Sequence, residues 1–516
     1  MLRIVDPYKP FSRSRLWEYQ RLYFEEAGID AWKDGVVPHY ITSNRFTARA
    51  YAEIVFAFLR DVARQQVTSD EPLYILELGG GSGRFAYHFL TCLETCCDEA
   101  GFTVPHFRYV LTDLAQKNVD FWMQHDRLKP FVERQWLDVA RFDATADDTI
   151  HLLYAGVSLQ AGTCHQPLIL IGNYFFDSIP QELFYVEDHE LYSCKVALCA
   201  EGNMKDTTSF TLPDLQLRYV YKKCRSGYFT EKEFNKILSR YKEQFEASHV
   251  LFPHTGLRCL ERLRSFSSKG FMLLSCDKGQ HRLEGLDNMP APQPVNHGSF
   301  SLNVNYHAIR FFYEQQGALS LFPPHGYTGI NVACLLSLED AEKYSETRSA
   351  YQRSVSDLGP DDFFTLKKHF EKFIDTMSIA HLLAHFRLSH YDARFFKQCT
   401  AHLITLLPQA SEDEKAAVRA MAAQIWKGYY FIGESQDLAF DLGIICYEIS
   451  YYKDAIFYFG KSMKNYPDVA APLFFNLAAC HYQLREDDRA WQYLQKTLAL
   501  DPAHEPAQLL LQEMGR

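Results

Sequence analysis

The sequence predicts an α/β chain: a largely parallel sheet flanked by helices and interrupted by a helical insertion, followed by an all-α tail. Three observations predict it. Short runs that are apolar throughout alternate with amphipathic helical segments across residues 67–336. A cluster of glycines stands between the first such run and the helix after it. Beyond Glu339 no run reads as a strand, and residues 436–516 carry an internal repeat.

Composition narrows the class further. Residues are 47% hydrophobic and 15% aromatic, enough for large cores and incompatible with a disordered chain. The net charge of −11 argues against an extended phosphate-binding surface, and no basic run is long enough for nucleic acid or a membrane surface. No apolar run approaches the ~20 residues of a membrane span, and the segment from Met1 to Tyr19 lacks the apolar core of a signal peptide. Thirteen cysteines, an odd number with no C-x-x-C pair, read as free thiols in a reducing compartment rather than disulfides or a zinc site. The expectation is a soluble cytoplasmic protein with no metal, nucleic-acid or membrane partner.

Taken in order, residues 1–66 read as a mainly helical lead that can serve as a lid. The stripe Phe46, Tyr51, Ile54, Val55, Phe58 and Leu59 marks a helix from Arg45 to Arg64, preceded by a short extended piece from Val37 to the cap residues Ser43 and Asn44. Leu73–Leu78 is the first buried strand and Arg84 opens its helix. Phe107–Thr112 is the second strand, with Asp113 at its carboxyl end, and Pro167–Gly172 the third. Leu183–Val196 reads as a hairpin turning at Asp188-His189. Residues 206–265 are charged and read as the helical insertion. Gly270–Cys276 returns to a strand, the prolines at 290, 292 and 294 mark a loop over 287–298, a helix runs from Tyr306 to Gln316, and Gly329–Leu336 is the final strand. Residues 337–435 are a helical linker or degenerate repeats.

The tail repeat is legible in two registers. Ala455 and Ala490 are 35 residues apart, as are Pro467 and Pro502, close to the ~34-residue tetratricopeptide period. Small residues at Gly443, Ala455, Ala478 and Ala490 let paired helices approach, and the prolines end each second helix. Such a tail implies a protein or peptide partner. Oligomeric state is not encoded legibly.

The chemistry-bearing stretch is Glu77-Leu78-Gly79-Gly80-Gly81-Ser82-Gly83, set between a strand and a helix. Glycines let a ligand lie against bare main chain, and the helix start near Arg84 offers free N–H groups. A P-loop would need G-K-[ST], which is absent. A dinucleotide fingerprint would need a third glycine where Arg84 stands. The spacing E-x-G-x-G-x-G instead resembles the first motif of class I methyltransferases, in which this loop holds the amino-acid end of S-adenosylmethionine. Asp113 stands where such sheets bond ribose hydroxyls, although an Asp there also serves as a plain helix cap. Asp143 is a candidate for the adenine amine. At the end of the third strand comes Gly172-Asn173-Tyr174-Phe175-Phe176-Asp177-Ser178-Ile179-Pro180. Its aromatic residues can flank a sulfonium or simply pack in the core.

Residues 36–336 resemble the MidA-type methyltransferase family, which includes the mitochondrial complex I assembly arginine methyltransferase. Asn173, Asp177 and Pro180 match the family's N-E-x-x-D-A-x-P signature, with Tyr174 in place of Glu. Tyr40-Ile41-Thr42 resembles its G-D-F-x-T-A-P stretch, with His39 for Asp and Asn44 for Pro. Asp277-Lys278-Gly279 resembles its D-Y-G, and Val304-Asn305-Tyr306 its V-D-F, with Asn305 for Asp. The resemblance implies a Rossmann-like class I sheet, S-adenosylmethionine as cofactor, and transfer to a protein side chain such as arginine. On this reading Glu77, Gly79, Gly81, Ser82 and Gly83 hold the methionine part, Asp113 the ribose, and Asp143 the adenine. Asn173 lies near the methyl group and, with Asp177, is a candidate catalytic residue. Thr42, Tyr174 and Asp277 belong to the acceptor side. A second reading stays open: a cofactor-binding adaptor without transfer activity, which Tyr174 and Asn305 favour. A nicotinamide oxidoreductase is disfavoured by the glycine spacing.

Overall fold

A computed structural model describes residues 2–65, 71–101, 106–201, 215–225, 227–293, 295–297, 299–326, 329–468 and 470–515. The chain divides into two units, Met1–Thr365 and Leu366–Arg516. The 66/67 boundary and the first part of the expected insertion, 206–214, lie outside the described residues.

The first unit is built on a seven-stranded sheet: β1 (Leu73–Leu78), β2 (Phe107–Asp113), β3 (Leu137–Arg141), β4 (Leu168–Asn173), β5 (Gly270–Asp277), β6 (Leu319–Leu321) and β7 (Asn331–Leu338). Their order across the sheet is β6-β7-β5-β4-β1-β2-β3. β3, β2, β1, β4 and β5 run parallel, with Ile75 opposite Tyr109 on one side and Ile169 on the other. β7 is antiparallel to both β5 and β6. Every residue of β1 is buried, which is why LYILEL shows no alternation: helices cover both faces of a parallel sheet.

Three helices matter for the site. α1 (Arg15–Ala27) starts at Ser14, whose side chain accepts from the Leu16 amide. α2 (Arg45–Arg64) starts at Asn44, whose Oδ1 accepts from the Thr47 amide at 2.9 Å. α3 (Arg84–Ala100) follows Gly83, which stands at φ 74° as its N-cap.

A second sheet packs within the same unit. Its strands Leu2–Pro10, Glu190–Glu201, Glu182–Glu187 and Ala247–Phe252 lie in that order, and Gln216–Lys223 also pairs with Glu190–Glu201. Asp188 and His189 stand at φ 48° and 57°, the left-handed pair that a tight two-residue hairpin turn requires. The lead is mainly helical, and it begins with a strand, Leu2–Pro10, held by a partner nearly two hundred residues away, with Leu2 opposite Glu201. Three sequence expectations need correction. Tyr40–Ser43 is a helical turn, not extended, because the His39 carbonyl accepts from the Ser43 amide at 3.0 Å. The insertion carries strands Gln216–Lys223 and Ala247–Phe252 beside helices Lys232–Gln244 and His254–Arg264. Leu217 and Tyr219 pack inward on alternate positions, as do Ser248, Val250 and Phe252, a period of two that the flanking charges obscure. The loop over 287–298 contains Val295–His297, which pairs with Ser299–Ser301.

The second unit is helical. Leu438–Glu448 pairs with Tyr452–Asn465 and Ala471–Gln483 with Asp487–Leu500; Pro467 and Pro502 fall just beyond the second helix of each pair. Gly443, Ala455, Ala478 and Ala490 are all buried at these pairings. A Cβ at Gly443 would overlap the Phe459 ring, so the helices meet at a distance only glycine permits. Among the described residues no helix is long and apolar enough to cross a membrane.

Candidate functional site

From β1 the chain crosses to β2 and β3 on one side, and β4 is then placed on the other side of β1. A crevice opens where the strand order reverses, outside the carboxyl ends of β1 and β4, which is where open α/β sheets receive ligands. There the structure has a cavity of about 430 Å³. It is lined by the loops after β1 (Gly79–Ser82), β2 (Asp113, Leu114), β3 (Phe142–Thr145) and β4 (Asn173–Phe175), and by residues of the N-terminal segment.

The glycine loop is fixed by hydrogen bonds and by its backbone. Gly79, Gly81 and Gly83 stand at φ 69°, 53° and 74°, values that side-chain-bearing residues adopt at a cost. The Gly80 amide donates to the Thr112 carbonyl at 2.8 Å, and a Cβ there would overlap the Leu111 side chain. The Gly81 amide donates to Asp113 Oδ2 at 2.9 Å, and its carbonyl accepts from the Trp122 indole at 3.1 Å. At Gly79, which is exposed and lines the cavity, an added Cβ would sit in ordinary contact with the Phe175 ring, 3.7 Å away. Gly81 also lines the cavity, and an added Cβ there would lie 2.9 Å from the Trp32 ring. Gly83 does not line the cavity; it begins α3.

Glu77, buried at the end of β1, faces this cavity. Burial pushes its carboxyl up to about 8, against the opposing effect of the Tyr109 hydroxyl, which donates to Oε2 at 2.7 Å. Asp113 accepts from the Ala115 amide at 2.8 Å as well as from Gly81. Burial raises it while those amides act the other way. Ser82 lines the cavity, and its Oγ accepts from the Arg84 amide at 3.3 Å.

Asp143 lines the cavity but is already occupied. Its Oδ1 accepts from the Thr145 amide and hydroxyl at 2.9 and 2.6 Å, and its Oδ2 from Arg21 at 2.5 Å. Burial pulls it upward, and the Thr145 and Arg21 donors outweigh that, leaving it below the usual carboxylate value. The N-terminal segment thus shares through Arg21 a carboxylate that also lines the cavity.

Asn173 accepts from the Tyr51 hydroxyl at 2.9 Å through Oδ1, while its buried Nδ2 has no hydrogen-bond partner. A buried orphan donor beside a cavity is a feature a ligand can satisfy. Tyr174 also lines the cavity and stands at φ 49°, a strained backbone for a tyrosine. Thr42 lines it too, its hydroxyl donating to the His39 carbonyl at 3.1 Å.

The catalytic candidate Asp177 and the acceptor-side candidate Asp277 fall elsewhere than expected. Asp177 and Asp277 are 4% and 0% exposed and do not line the cavity. The Ser178 hydroxyl donates back to the carbonyls of Tyr174 and Phe175 at 2.9 and 3.0 Å, tightening the turn so that position 177 is buried beside the end of β5. Burial pushes Asp177 up to about 7, with Lys278 opposing, and pushes Asp277 well above the usual range, with the Asp177 charge adding to it. The two buried carboxyls are electrostatically coupled.

The sequence reading missed Tyr51, Tyr109, Arg21, Phe24 and Trp32. Tyr51 was legible as a member of the α2 apolar stripe, but nothing local marks its hydroxyl as aimed at Asn173. The N-terminal residues carry no motif at all.

Residues 52–290 match the profile of a family described as "Putative S-adenosyl-L-methionine-dependent methyltransferase". The matched span contains β1 to β5 and the glycine loop, and S-adenosylmethionine is the cofactor of that family. A structure of an uncharacterized protein from Burkholderia thailandensis aligns at 13% identity over 65% of this chain and 90% of its own, with a TM-score of 0.40. Another structure from that organism, of a protein bound to S-adenosyl-homocysteine, aligns at 14% identity over 65% and 90%, with a TM-score of 0.38. No curated protein matches the chain.

Proposed function

We propose that the unit Met1–Thr365 is an S-adenosylmethionine-dependent methyltransferase acting on a protein side chain, and that the helical tail recruits the protein to be modified. The observation that carries this is the convergence of Glu77, Asp113 and the orphan Asn173 Nδ2 on one cavity at the sheet's switch point, beside the exposed main chain of Gly79. These residues suit the cofactor's parts: a carboxyl for an ammonium, a carboxylate for ribose hydroxyls, and an amide donor on the strand at the other side of Glu77. The cofactor supplies a sulfonium-bound methyl group for in-line displacement. The chain's own residues then have mainly to orient and enclose. Arginine is the acceptor the MidA-type resemblance implies, and the tetratricopeptide spacing of the tail is what supports a peptide partner. Thirteen free cysteines suit a reducing compartment such as the cytoplasm.

A second reading, a cofactor-binding adaptor without transfer, is favoured by a specific observation. Asp177 and Asp277 lie away from the cavity, and Asn305 serves as a helix cap, accepting from the Ala308 amide at 2.9 Å and donating to the Leu251 carbonyl at 3.0 Å. Titration calorimetry with S-adenosylmethionine, S-adenosyl-homocysteine and NADH should give heat for the first two alone. Release of S-adenosyl-homocysteine in a cell extract then separates enzyme from adaptor. Gly81→Val should weaken cofactor binding by about tenfold or more, since it forces a β-branched residue to φ 53° against Trp32. Retained affinity in that variant would overturn the loop assignment.

A further inference from the structure

We infer that the N-terminal segment Arg15–Gly35 is a gate over the cofactor cavity, latched by the Arg21–Asp143 ion pair, which sets how fast the cofactor enters and leaves. The inference rests on the cofactor reading above and adds to it a moving part within this chain.

The segment contributes Trp17, Arg21, Phe24 and Trp32 to the cavity wall. Trp32 lies against Gly81, within the loop assigned to the cofactor, and stacks on Phe24 with ring centroids 5.8 Å apart and planes 19° from parallel. A ligand lying along Gly79–Gly81 therefore has to pass this indole.

The segment is anchored at one end and clasped at the other. Near its start, the Trp17 indole donates to the Phe11 carbonyl at 2.9 Å and packs on Phe300, and Gln20 Nε2 donates to the Phe300 carbonyl at 3.0 Å. These contacts tie the first turns of α1 to the turn Phe11–Arg13 and to the strand Ser299–Ser301. Further along, polar contacts reach the loop after β3 and the helix Gln116–Gln124: Arg21 to Asp143 at 2.5 Å, and Lys117 to the Glu26 carbonyl at 2.5 Å. The Trp32 stretch lies between Gly28 at φ 51° and Gly35 at φ 78°, and the helical path breaks at Lys33 and Asp34. Such positions absorb large backbone changes, as hinges do.

The pair also explains why Asp143 is engaged rather than facing the cavity as a free acceptor. Arg21 is partly exposed, so solvent screens the bond, and salt weakens it. A latch of that strength holds a gate without locking it.

The test is stopped-flow binding and release of S-adenosyl-homocysteine on the full chain. Arg21→Ala should raise the rates of both binding and release by about fivefold, as expected for loss of one partly exposed ion pair. The equilibrium Kd should stay within about twofold, because a gate lowers one barrier for both directions. Trp32→Ala should accelerate release further. Raising salt should speed release from the wild type and leave Arg21→Ala unaffected, which keeps the test decisive if Trp32→Ala does not fold. Unchanged rates in Arg21→Ala would overturn the gate while leaving the cofactor reading intact. Faster release with a proportionally weaker Kd would also overturn it, making Arg21 a simple ligand contact. Failure of the wild type to bind S-adenosyl-homocysteine would overturn both.

Discussion

The carboxyl of Glu77 has a proton affinity that its residue type alone does not give. In an unfolded chain it titrates near 4.5; buried against Tyr109 it holds its proton up to about 8. Between those values the folded state binds more protons than the unfolded one, so stability is greatest on the acid side and falls as pH rises through that window. Asp177, raised to about 7, acts in the same direction. One proton bound only by the folded state costs ~1.4 kcal/mol of stability for each pH step of one. From Glu77 alone the ligand-free protein should therefore lose on the order of 4 kcal/mol between about pH 5 and pH 8. Glu77→Gln should remove that part of the slope and leave the Asp177 part, measured by urea denaturation across pH. An unchanged slope in the variant would mean that Glu77 does not carry it. The same residues mark the limit of sequence reading at this scale. Glu77, Asp113, Asp143, Asp177 and Asp277 are all legible as acids near strand ends. Which face the cavity, which holds Arg21 and which two are buried and coupled depends on neighbours far along the chain.

Elements were legible where local periodicity and burial coincide. β1, β2, β4 and β5 stand out as continuously apolar runs because both their faces are covered, and the Asp188-His189 turn announces its hairpin. Leu2–Pro10 and Gln216–Lys223 did not stand out. Both owe their extension to pairing with Glu190–Glu201, a non-local ladder that no short window contains. In the tail, helix pairing depends on glycine at one contact. An alanine at position 443 would drive its methyl into the Phe459 ring. Gly443→Ala should destabilise the second unit by about 1–3 kcal/mol through overpacking. Gly443→Ala with Phe459→Leu should cost less than the sum of the two single changes, since the second makes room for the first. Denaturant unfolding of the full chain measures all three; strict additivity would mean that the contact is not what sets the helix spacing.

Each of the two units carries its own core. In the first unit, Leu76, Val110 and Leu170 pack with Phe271 from the central sheet; in the second, Phe386, Phe396, Leu442 and Phe459 pack together. Separate cores predict two calorimetric transitions. Added S-adenosyl-homocysteine should raise only the transition of Met1–Thr365, by roughly 2.7 kcal/mol at a hundredfold excess over Kd. A shift of both, or a single merged transition, would contradict independent units. The chain by itself determined the class of sheet, the glycine turn, the acids at strand ends and the period of the tail, because backbone freedom and burial periodicity are properties of neighbouring residues. Only the tertiary structure decided that Trp32 rests on Gly81, that Arg21 takes Asp143, and that Asp177 turns inward to meet Asp277. Those contacts join segments tens to more than a hundred residues apart, and no local pattern records which side chains long loops will bring within a few ångströms.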